Sequence, residues 1–93
     1  MKRNVSLPVF IIKEQNYFVA YTPALDFAAT GDSVEGAKKS FSEAINIFFD
    51  EIEEKGTLEK VLQEFGWQKI DNSLQPPEVV SQTKETVKIP SYV

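Results

Sequence analysis

Residues 33–55, SVEGAKKSFSEAINIFFDEIEEK, decide the fold. At 3.6 residues per turn, Val34, Ala37, Phe41, Ala44, Ile45, Phe48, Phe49 and Ile52 fall on one stripe. Their directions span an arc of about 140°. Glu35, Lys39, Ser42, Glu43, Asn46, Asp50, Glu53 and Glu54 occupy the other side, and Lys38 sits at the margin with a stem that can reach water. Ile47 is the one apolar residue well outside the stripe. A helix this apolar along one side needs a flat apolar layer to lie on, and residues 1–30 read as the sheet that supplies it.

The strands are legible in order. Residues 5–13, VSLPVFIIK, are β-rich, with Pro8 confined to the strand start or an edge. The apolar run Val9–Phe10–Ile11–Ile12 is expected where both faces find cover. Glu14, Gln15 and Asn16 read as a hairpin loop, and residues 17–22 as a second strand. Alternation there puts Tyr17, Val19 and Tyr21 on one side and Phe18, Ala20 and Thr22 on the other. Pro23 stops that strand, residues 27–30 form a short third one, and Gly31 leads into the helix, with Asp32 or Ser33 as its N-cap. Asp32 and Glu35 have the spacing of a capping box. Gly56 ends the helix at the C′ position. Thr57 then caps a second helix over 58–65, with Leu58, Val61, Leu62 and Phe65 on its apolar side. Residues 67–70 read as a fourth strand returning to the sheet, and 71–77, DNSLQPP, as punctuation. In the last stretch Val87 and Ile89 alternate with Thr86 and Lys88, so 83–89 reads as a strand seeking a sheet edge in this chain or a neighbour.

Composition narrows the chemistry. Ninety-three residues make one small domain with a modest core, whose stability leans on a partner or on self-association. The expected division is an α/β domain over 1–72 and a C-terminal extension over 73–93, an added edge strand or an exchanged one. With no cysteine there are no disulfides, thiolate metal sites or cysteine nucleophiles, which fits the reducing cytoplasm expected as its location. With no histidine the commonest general base and metal ligand are missing as well. No secretion signal or membrane span is legible. The net charge of −4 divides as +1 over residues 1–30, −5 over 31–66 and zero over 67–93. An acidic middle disfavours nucleic acid and favours a basic partner, beside the plainer role of a solvated face.

The joints carry a resemblance. They read Ala20-Tyr21-Thr22-Pro23-Ala24-Leu25, then Thr30-Gly31-Asp32-Ser33, then Ala37 and Ala44-Ile45. Over roughly residues 5–70 this resembles the HicB-like antitoxin family, whose text is an A-x-x-P-x-L turn, a glycine, an acidic residue with Thr or Ser, and a helix with EA. The resemblance implies a partial RNase H-like α+β domain: strand, strand, strand, helix, helix, strand, with an antiparallel sheet and the long helix across one face. Ala24, Asp26 and Phe27 depart from the family's acid, glycine and cysteine, and Gly36 from its usual glutamate. Residues 86–90 look a little like the opening strand of a ribbon-helix-helix with no helices following, so direct DNA binding is not expected from this chain alone.

The function expected is therefore non-enzymatic: an antitoxin-type protein that pairs with itself and covers a small basic RNA-cleaving HicA-like toxin. The alternative is a stand-alone structural or regulatory homodimer of the same fold. A third class is a degenerate metal nuclease, in which Asp26 and Asp32 would be ligands instead of a turn residue and a cap. No cofactor or metal is called for. Tyr17, Phe18 and Tyr21 could stack bases, but packing is the plainer role without a basic groove. Trp67 reads as a core or groove plug, or as an interface anchor. Acids crowd the end of the long helix against its dipole, with Glu51 and Lys55 as a compensating pair, and this placement points to a basic partner. The expected partner contacts are Asp50, Glu51 and Glu54 on the helix and Val87, Ile89 and Tyr92 in the extension.

Overall fold

The computed structural model describes residues 3–91. Three antiparallel strands, β1 (Phe10–Lys13), β2 (Phe18–Thr22) and β3 (Phe27–Gly31), form a sheet in that order. The long helix α1 (Val34–Glu54) lies across one face, mainly over β3 and β2. A short helix α2 (Leu58–Glu64) follows, then a separate hairpin of β4 (Gln68–Ile70) and β5 (Ser73–Gln75).

Both links in the sheet are four-residue hairpin loops, since Lys13 opposes Phe18 and Thr22 opposes Phe27. Tyr17 belongs to the first loop, where its carbonyl accepts from the Glu14 amide at 2.9 Å. In the second, Asp26 takes a positive φ of 47°, and the buried Thr22 hydroxyl accepts from the Ala24 amide. Strand β1 is shorter than expected. Continuing its register sets Pro8 opposite Pro23, and neither can donate to a ladder. The residues before it still contribute, because Val5 and Leu7 pack against the core.

Alternation holds on β2. Ala20 and Thr22 are fully buried under the helix and Phe18 packs there too, while Val19 and Tyr21 point the other way. Among the described residues nothing covers that second face, where Ile12 is 44% exposed. The expectation that the apolar run of β1 is covered on both faces is thus corrected: only Ile11 of its strand residues faces the core.

The helix is anchored at both ends by local chemistry. Ser33 is the N-cap, with extended backbone and its Oγ accepting from the Gly36 amide at 2.9 Å. The glutamate that would close a capping box with Ser33 is absent because Gly36 holds that position. At the other end Gly56 sits at φ 72°, its amide donates to the Glu53 carbonyl, and the Thr57 amide reaches the Ile52 carbonyl. This is a Schellman closure. It recurs after α2, where Gly66 at φ 89° donates to Gln63 and Trp67 to Leu62. Thr57 does not cap α2 with its side chain; the hydroxyl donates backward to the Ile52 carbonyl.

Ala37, Phe41, Ile45 and Ile52 are the buried positions of α1, and Ile47 is 59% exposed. Edge-on and tilted ring contacts run from Phe27 through Phe41 and Phe48 to Phe49 and Trp67, with centroids 5.7–6.2 Å apart. Trp67 is buried and donates Nε1–H to the Ala24 carbonyl at 2.9 Å, tying the second turn of the sheet to the end of α2.

Two expectations near the C-terminus are corrected. The fourth strand does not return to the main sheet. It pairs with Ser73–Gln75, because Asp71 and Asn72 both adopt positive φ and make a two-residue turn between Ile70 and Ser73. The expected 72/73 boundary falls inside this hairpin. Residues 83–89 form no strand within the chain, and Val87 and Ile89 stand 72% and 79% exposed. The extended tail makes the chain 54 Å long, with a radius of gyration of 16.2 Å, against roughly 12 Å for a compact chain of this length.

Candidate partner-binding surface

The carboxylates at the end of α1 occupy its outer side because the apolar stripe fixes the inner one. Asp50, Glu51 and Glu54 are all exposed. At about 100° per residue they fan across roughly a quarter of the helix circumference, opposite the buried Phe41 and Ile52. The structure therefore brings these three expected contacts together on one outward arc. No basic residue lies in the last turn of α1. Glu51 and Lys55 are not within ion-pair distance among the described residues; the ion pair formed nearby is Lys69 to Glu59, at 3.1 Å on the surface. That exposed pair contributes well under about 1 kcal/mol.

Val87 and Ile89 do not join the acidic arc. They lie in the extended tail, in solvent. Tyr92 lies outside the described residues.

Beside the arc runs a groove of about 610 Å³. Its floor is Ile45, Phe49, Leu58, Leu62 and Trp67, and Asp50 and Glu53 stand on its helical rim. The N-terminal segment lines the far wall, held by the Arg3 guanidinium donating to the Leu74 carbonyl at 2.6 Å. Sequence reading missed this groove. The signal available was Val5 and Leu7, apolar residues ahead of Pro8 that the sheet cannot use.

The other chemistry considered is dispersed. Asp26 accepts a hydrogen bond from the Tyr21 hydroxyl at 2.9 Å at the sheet's second turn, whereas Asp32 precedes the N-cap. Among the described residues, no three carboxylates gather where they could share a metal ion. Phe18 packs into the core while Tyr17 and Tyr21 are on the other side, so the three rings make no common stacking platform. The hydrogen bond to Asp26 is the main cause that raises the Tyr21 phenol above its ordinary pKa. Among the described residues, no helix is long and apolar enough to cross a membrane.

No protein-family model, curated protein or solved structure matches the chain.

Proposed function

We propose that this chain is an antitoxin-type binding protein that neutralises a small, basic, RNA-cleaving HicA-like toxin and itself makes or breaks no bonds. The observation that carries the reading is the outward arc of Asp50, Glu51 and Glu54 on a helix held rigidly against a sheet. Carboxylates grouped on one exposed arc, at the helix end whose dipole opposes them, suit a cationic surface. The helix-on-sheet layer agrees with the domain that the HicB-like resemblance of residues 5–70 implies. Both the sign and the place of the charge suit a protein that covers a basic RNA-binding surface.

Co-expression with the product of an adjacent reading frame tests it. The expected outcome is co-purification of a small basic protein and rescue of the growth arrest that this protein causes alone. Absence of any such toxic, retained neighbour contradicts the proposal. The second reading, a stand-alone homodimer, is favoured by the exposed Val87 and Ile89. It stands if the chain self-associates and no adjacent product is toxic.

A further inference from the structure

We propose that the tail of a second copy pairs with the outer edge of β3, with Val87 and Ile89 lodged beneath the flank of α1. Two oddities of the chain meet in this arrangement. The first is the tail. Residues 83–89 have strand composition and alternation, yet no described strand pairs with them. Val87 and Ile89, two apart, share one face, and Thr86 and Lys88 take the other.

The second is the flank of α1 above the outer edge of β3. Ile45 and Phe49 face the groove on one flank of α1. By the same helical geometry Ala44 emerges on the opposite flank, while Ile47 stays on the outward side between Glu51 and Glu54. Phe48, one turn on from Ala44, packs on Phe27 of β3, so this flank overhangs β3. Strand β3 has β2 on one side and no described strand on the other. An added strand there would satisfy the open backbone edge. It would also place its apolar side chains against Ala44 and Phe48.

A second copy is the occupant because the chain's own tail is led away. The β4–β5 hairpin lies beside residues 6–8, on the β1 side of the sheet. Pro76 and Pro77 then stiffen the exit, and the tail runs out into the 54 Å long axis. Its charges, Glu78, Lys84, Glu85 and Lys88, cancel, so they neither call for nor repel a charged partner. Reciprocal exchange gives a closed dimer without a new domain.

Sedimentation equilibrium of the full chain, of a chain ending at Gln82, and of Val87→Lys/Ile89→Lys tests the proposal. The full chain should dimerise, and both variants should dissociate at least about tenfold more readily, while circular dichroism shows that the variant monomers stay folded. Because the chain has no cysteine, Ala44→Cys and Ile89→Cys chains carrying different tags can be mixed with a short thiol cross-linker. Heterodimeric product supports exchange. A monomeric full chain at high concentration overturns it. So does a dimer that survives truncation, as β3-to-β3 pairing would, or a double Ala44→Cys/Ile89→Cys chain that cross-links only within itself.

Discussion

Gly31 has no room for a side chain. A Cβ built there would come within 2.5 Å of the Gly36 carbonyl carbon and still closer to the Ala37 amide nitrogen. The obstacle is backbone in the first turn of α1, so no side chain can step aside. Gly31→Ala is therefore expected to lower stability by about 2–4 kcal/mol, because the helix start must shift off the sheet. Chemical denaturation monitored by the Trp67 fluorescence measures it. Tyr21 offers a test of electrostatics at the same scale. Its phenol donates to Asp26, which favours the protonated form, and its pKa is raised. The contribution to stability is fully present below the unfolded value of about 10 and is lost as pH rises through the folded one. The difference in phenolate absorbance between wild type and Tyr21→Phe should have its midpoint above the ordinary tyrosine value. In Asp26→Asn, that midpoint should move down.

At the scale of elements, the two helices end by the same device. Gly56 and Gly66 each turn left-handed, and the amides of Thr57 and Trp67 reach back to Ile52 and Leu62. Gly56→Ala meets no atom within 4 Å. Its cost is then conformational alone, about 1 kcal/mol, and a thermal melt should show it as a few degrees. These ends were legible, since Lys-Gly and Phe-Gly close two apolar periods. The stripe of α1 was legible for the same reason: period 3.6 survives whatever it packs on. The β4–β5 hairpin was not recognised, although Asp71-Asn72 is a turn-forming pair between two short β-rich runs. Strand pairing is a choice of partner, and three residues carry too little alternation to declare it. The groove depended on where Arg3–Leu7 would lie, and that was decided by a long-range bond to Leu74. Among the expected contacts, the three carboxylates could be placed from helix phase alone. Val87 and Ile89 could be given a pattern but no partner, because no described strand pairs with them.

The whole molecule is a helix-on-sheet layer with an extended arm. One face of the sheet is closed by α1, and among the described residues no strand or helix covers its other face or the outer edge of β3. Under the proposed function, a small core with this much apolar surface in solvent requires other chains to complete it. The acidic arc adds a sign to that requirement. Binding through it should weaken with added salt, since exposed charges are screened over about 8–10 Å at ordinary ionic strength. The most direct measurement is RNA cleavage by the purified basic protein from the adjacent reading frame, titrated with this chain. The expected result is that cleavage stops near equal amounts and that Asp50→Lys/Glu51→Lys/Glu54→Lys needs at least about tenfold more chain to stop it. Cleavage that continues undiminished in the presence of excess wild-type chain would contradict the proposed function.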